Sequence, residues 1–192
     1  LPDITDEVSE ELDDVLGAVK TVARRSDGLM QFVTSYRRLT KLPVPNRRTI
    51  SVNKLFTEVM LLTTSERRVK AIDLTTSIIP SELDVNIDVD MIEQVLINLL
   101  QNAEQALSQT KFPEMTMKAY LNLRGHVVFE VSDNGNGIEQ ENIGQIFVPF
   151  FTTKKEGSGV GLALTRQVMI AHEGKVSARN NSSGGATFSL IF

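Results

Sequence analysis

Apolar residues recur along this chain with different spacings, and each spacing predicts a different element. Positions 8, 12, 15, 19, 22, 26, 29, 33 and 36 carry Val, Leu, Val, Val, Val, Ser, Leu, Val and Tyr. The steps alternate four and three, a 3.5-residue period that predicts one long helix over residues 3–42, with a seam that needs partner helices. Pro43 and Pro45 stop it. Leu55, Phe56, Val59, Met60 and Leu62 share one helical face. Residues 89–107 repeat the pattern more strongly, with Met91, Ile92, Val95, Leu96, Leu99, Leu100, Ala103, Ala106 and Leu107 on the apolar side. A third helix is predicted from 160 to 171.

Shorter runs read as strands. One covers 71–79 and ends at Pro80; a short one lies within 81–88. Two more, 115–123 and 126–131, join through Asn122-Leu123-Arg124-Gly125 as a hairpin. The last pair, 175–179 and 186–192, flanks a turn at 180–185. Residues 49–52 read as a short strand or the start of a helix, with Ser51 or Asn53 as its cap. The proline-bearing stretch 42–48 is a stiff linker. It predicts a helical unit over 1–45 and an α/β unit over 46–192.

Composition narrows the choice of function. The net charge is −4, and the basic residues come in scattered pairs (Arg24-Arg25, Arg37-Arg38, Arg47-Arg48, Arg67-Arg68), which speaks against nucleic acid as a partner. There are no cysteines, so disulfides, thiolate metal sites and cysteine nucleophiles are excluded. No apolar run reaches membrane-spanning length. The expected location is cytoplasmic, with no membrane contact by these residues and any membrane anchor upstream. The chain opens on Leu1-Pro2 without a methionine, so a piece of a longer protein is expected.

The candidate chemistry lies between 98 and 162. Asp133-Asn134-Gly135-Asn136-Gly137-Ile138 follows a strand; Gly157-Ser158-Gly159-Val160-Gly161-Leu162 leads into a helix. A glycine-rich turn feeding a helix N-terminus is a ready anion site, because free N–H groups and the helix dipole both favour negative charge. Asn98 and Asn102 lie one turn apart on the 89–107 helix, where asparagine is a poor interior residue. A carbonyl oxygen there suits a hard cation. Residues 146–155 pass from aromatic to cationic, as a cover over a phosphate site would.

Taken together, Asn98-x-x-x-Asn102, Asp133-x-Gly135-x-Gly137, Phe147 to Phe151, Gly157-x-Gly159-x-Gly161-Leu162 and Gly185-Ala186-Thr187-Phe188 resemble, in order, the conserved boxes of sensor histidine kinases. The Phe-Phe-Thr-Thr-Lys and Asn-Ala-Glu-Gln-Ala forms are most similar to the nitrogen-regulation branch. The resemblance implies an α+β fold: a two-layer α/β sandwich of the GHKL ATPase type, preceded by a long dimerisation helix. It implies ATP and Mg²⁺ as cofactors, a homodimer through the N-terminal helix, and a response-regulator receiver domain as partner. Asp133 would recognise the adenine amino group, Gly137 would let the base lie on backbone, and Thr187 would complete that contact. Asn102 would hold Mg²⁺, with Asn98 in support. Gly157, Gly159 and Gly161 would offer N–H groups to the phosphates, and Lys154 a charge near the terminal one. Gly135, Ile138, Phe150, Thr153, Ser158, Val160 and Leu162 would line the same nucleotide.

Two positions depart from the family pattern. The only histidines, His126 and His172, lie off the seam helix, so the phosphoacceptor and its base are expected elsewhere and self-labelling is not expected. Gln105 stands where many relatives carry a basic residue. Three alternatives stay open: an ATPase of the gyrase and chaperone type, an anti-sigma type serine kinase of the same fold, and a non-catalytic dimerising nucleotide-binding scaffold. Asn98 cannot take a proton from water, which favours transfer over hydrolysis.

Overall fold

The computed structural model describes residues 12, 15–23, 26, 30, 33, 42–69, 71–154 and 157–192, without the side chains of 65–69. The chain divides into two compact units, Leu1–Lys41 and Leu42–Phe192. In the first, every described residue is helical, and Leu12, Val15, Val19, Val22 and Val33 of the seam are exposed. Seam positions 8, 29 and 36, and most of the expected helix, lie outside the described residues.

The second unit is a sheet covered on one face by helices. Strand β1 (Arg48–Ser51) runs straight into helix α1 (Val52–Val69). Strands β2 (Asp73–Ile79) and β3 (Asp84–Ile87) follow, then helix α2 (Val89–Ala106). Strands β4 (Glu114–Leu121) and β5 (Val127–Asp133) form the expected hairpin, and helix α3 (Gly161–Ala171) precedes strands β6 (Lys175–Asn180) and β7 (Ala186–Ile191). The main sheet has the order β2-β4-β5-β7-β6; β2 pairs parallel to β4 and every other pairing is antiparallel. Strands β1 and β3 pair separately as a two-stranded antiparallel ribbon.

Alternation along the strands decides which residues meet the helices. Met115, Met117 and Ala119 of β4, Phe129 and Val131 of β5, and Phe188 and Leu190 of β7 point inward and are buried. The faces of α1 and α2 that carry Leu55, Phe56, Val59, Ile92, Leu96, Leu99 and Leu100 complete the core. Phe129 is its centre: its ring meets Phe56 edge-on at 5.3 Å and Phe192 at 5.0 Å between centroids. Phe129→Ala is expected to cost about 3–5 kcal/mol, measured as a shift of the urea midpoint at constant slope.

Asp88 caps α2 by accepting from Met91 N–H at 3.2 Å, and its other oxygen accepts from Asn46 N–H at 2.8 Å. His172, at the end of α3, is buried and both its ring nitrogens are committed. Nδ1 donates to Val168 O at 2.8 Å, and Nε2 accepts from Asp88 N–H at 3.0 Å. Arg47 donates to Ala171 O and pairs with Glu173 at 3.4 Å. The linker end is thereby tied to the start of α2 and the end of α3. His172 has the structural role its position predicts. His126 lies at the hairpin, with Nδ1 3.0 Å from Phe192 O.

Candidate functional site

The strand period that buries Phe129 and Val131 carries Asp133 onto the same inward face, one step past the core. There the carboxylate lies at the wall of a cavity of about 650 Å³, within the usual range for small-molecule sites. Asp133 Oδ1 accepts from Gly135 N–H at 2.9 Å and Ala186 N–H at 3.3 Å. Burial pushes its pKa above the usual carboxylate range, and these two N–H bonds oppose the rise.

The turn after Asp133 is held from a distance. Gly137 has φ +73°, open to glycine without strain. Asn180 clamps the next residue twice: its Oδ1 accepts from Ile138 N–H at 2.7 Å and its Nδ2 donates to Ile138 O at 2.6 Å. Asn181 Nδ2 donates to Asp133 O at 3.0 Å. Gly185, with φ +82°, packs its α-carbon directly against that same Asp133 carbonyl.

On the opposite wall, α2 presents Asn98, Gln101, Asn102 and Gln105 in one row. Asn98 Nδ2 donates to Thr165 Oγ1 at 3.1 Å, tying α2 to the first turns of α3. A side chain at Gly161 would collide with the Asn98 amide, so the glycine is what lets the two helices approach. Lys154 crosses the cavity mouth: its ammonium donates to Asn102 Oδ1 at 2.7 Å and to Gln105 Oε1. Lost hydration there lowers the lysine pKa. Gly159, with φ +66°, abuts the Phe150 backbone, and Phe150 N–H donates to Gly159 O at 2.8 Å. Helix α3 then begins at Gly161 with no side-chain cap and no acidic residue in its first turn.

Most of the expected residues converge. Asn98, Asn102, Asp133, Gly137, Ile138, Thr153, Lys154, Gly157, Ser158, Gly159, Gly161 and Leu162 all line the cavity. Gly135, Phe150, Val160 and Thr187 do not. Gly135 packs on the Ala106 carbonyl, Phe150 supports Gly159 through its backbone, and Val160 is buried beneath the loop. Thr187 pairs with Ser132 in the β5–β7 register, on the face of the sheet away from Asp133. Its hydroxyl bonds Asn181 Oδ1 at 2.6 Å and Ser132 Oγ at 2.9 Å, and its neighbour Ala186 is the β7 residue that lines the cavity here. Sequence reasoning missed several lining residues, among them Gln101, Asn136, Glu139, Asn142, Ala186 and Phe188, and Asn180 and Asn181 as the struts of the turn.

A helix-borne asparagine row, a glycine-rich helix start and a buried aspartate thus share one cavity. The chain belongs to the histidine kinase-, DNA gyrase B- and HSP90-like ATPase family, whose sequence model matches residues 87–192, and within it is a histidine kinase ATP-binding catalytic domain. The catalytic domain of histidine kinase ThkA is 31% identical, covering 77% of this chain and 95% of that one, with a TM-score of 0.68. Sensor protein FixL of Bradyrhizobium diazoefficiens is 37% identical over 142 residues, which are 74% of this chain and 28% of FixL. The structure of ThkA in complex with response regulator protein TrrA matches 100% of this chain and 52% of its own, at 25% identity and a TM-score of 0.69. The chain spans about a third or less of the curated relatives FixL, ZraS and AtoS. The GHKL fold expected from the sequence is the fold found.

Proposed function

We propose that this chain holds Mg²⁺-ATP in the cavity and directs its γ-phosphoryl to a histidine carried on a helical segment outside these 192 residues, for relay to an aspartate of a response-regulator receiver domain. The convergence of Asn102, Asp133 and Gly159 on one cavity carries this reading. With Oδ1 of Asp133 occupied by two backbone N–H groups, Oδ2 is left to accept from the adenine amino group. Gly137 and Ala186 let the base lie flat against backbone. The uncapped start of α3 and the turn at Gly159 offer N–H groups to the phosphates, whereas the Gly157 N–H expected to join them donates to Lys154 O at 3.2 Å.

Asn102 and Gln105 already turn their carbonyl oxygens on a cation, the Lys154 ammonium, so this corner fits a hard metal ion. Among the described residues no group of three or more His, Cys, Asp or Glu could hold one. Asn102 would therefore share the ion with the nucleotide's own phosphates, and Asn98 would steady the helix row beside it. Bound Mg²⁺ neutralises phosphate charge; the chain's own part is positioning and electrostatic stabilisation. Asn98 offers no base for water, which favours transfer. Lys154 supplies a point charge at the cavity mouth.

Residues 1–45 are proposed as part of a dimerising bundle, on the strength of the 3.5-residue seam. The ThkA–TrrA complex supports a response-regulator partner. No helix among the described residues is long and apolar enough to cross a membrane, and a cytoplasmic location is part of this proposal.

Mixing the chain with γ-labelled ATP and the missing helical segment tests the reading. Acid-labile label is expected on a histidine of that segment and none on the chain alone; label on His126 or His172 would overturn it. Asn102→Ala is expected to weaken Mg²⁺-ADP binding by about tenfold or more and binding in EDTA by less, measured by calorimetry.

A further inference from the structure

The Lys154 ammonium stands where the proposed function puts the metal ion. It donates to Asn102 Oδ1 at 2.7 Å and to Gln105 Oε1, two oxygens one turn apart on α2. Both are neutral amide acceptors, and a lysine that reaches them from the other wall of the cavity gives up hydration to do so. The two carboxylates that line the cavity are engaged elsewhere: Asp133 accepts from Gly135 and Ala186 N–H, and Glu139 Oε2 from Asn142 Nδ2 at 2.6 Å. The Lys154 backbone is fixed by its own turn, in which Lys154 N–H donates to Thr152 Oγ1 at 3.1 Å and Gly157 N–H to Lys154 O at 3.2 Å.

We propose that Lys154 and the divalent cation are alternative occupants of one position, defined by the carbonyl oxygens of Asn102 and Gln105. The nucleotide-free site thus keeps a tethered monovalent cation of its own. Arrival of the metal with the nucleotide displaces the ammonium, which is then free to pair with the γ-phosphate of ATP, a partner that ADP does not offer. Gln105 is a positioning residue in this scheme. Its amide completes the lysine's berth, which gives a role to the position where many relatives carry a positive charge. The inference rests on the nucleotide reading above and adds to it the exchange of one cation for another.

The exchange predicts a linkage that calorimetry reads without any turnover. The quantity is the ratio of two dissociation constants for the full chain: ADP in EDTA over Mg²⁺-ADP. In the unaltered chain the lysine substitutes for the ion in EDTA and competes with it in Mg²⁺, and both effects keep the ratio small. Lys154→Met removes both, so the ratio is expected to rise by about tenfold. In the Asn102→Ala background the shared oxygen is gone, and adding Lys154→Met is expected to leave the ratio where it was. A ratio unchanged or lowered by Lys154→Met, or raised equally with and without Asn102, would overturn the exchange. Absence of ADP binding to the unaltered chain would overturn the nucleotide reading and this proposal with it. ADP binding that Lys154→Met weakens equally in EDTA and Mg²⁺ would overturn this proposal alone.

Discussion

Asp133→Asn is expected to weaken ATP binding by about ten- to a hundredfold and to leave the fold at least as stable as before. The asparagine Oδ1 can still accept from Gly135 and Ala186 N–H, so the turn keeps its bonds. What changes is the group proposed to face the base: an amide donor replaces a carboxylate acceptor, opposite an adenine amino group that also donates. The stability half follows from linkage. The folded pKa of Asp133 is raised, chiefly by burial, so its contribution is most favourable below the unfolded pKa and is lost as pH rises through the folded one. At neutral pH the carboxylate is a stability cost that asparagine removes. Thermal melts of the two chains across the acid range should converge at low pH and separate, variant higher, as pH rises. Unchanged ATP affinity would place the base elsewhere in the cavity.

Gly185→Ala is expected to destabilise the second unit by more than ~2 kcal/mol and to abolish nucleotide binding with it. The residue sits at φ +82°, and its added methyl would run into the backbone carbonyl of Asp133, which has no rotamer to escape by. Relief requires β7 to pull away from β5, which moves Ala186 N–H off the Asp133 carboxylate. Gly144→Ala is the control: its methyl meets nothing within 4 Å, and a change within about 0.5 kcal/mol is expected. Urea unfolding of both variants decides it; equal midpoints would mean that the approach of Gly185 to Asp133 is not tight.

The elements that period and punctuation announce are where the sequence puts them. Helix α2, with its apolar face and asparagine row, starts and stops within a residue of expectation. The glycine clusters and Lys154 meet across one cavity because each lies next to a strong local signal. What could not be read was set by partners far along the chain. Nothing in residues 73–79 says that β2 will lie parallel to β4. Asn180 and Asn181 look like ordinary turn residues until the fold carries them 42 to 49 positions back to Ile138, Ser132 and Asp133. Strand parity separates neighbours on β7: Ala186 faces the cavity and Thr187 the far side of the sheet. Gln105 was read as a lost charge; its place three positions after Asn102 on the helix held the hint that it shares that residue's partner.

Helix α2 opens with Asp88 as its own cap, whereas α3 opens with none. In the proposed function the phosphates would complete the first turn of α3, and the ligand would become a piece of secondary structure. Adenosine, which brings the base but no phosphate, should raise the melting temperature only modestly. ADP should add the missing terminus as well, and the slowing of amide hydrogen exchange it causes should be greatest at residues 161–163.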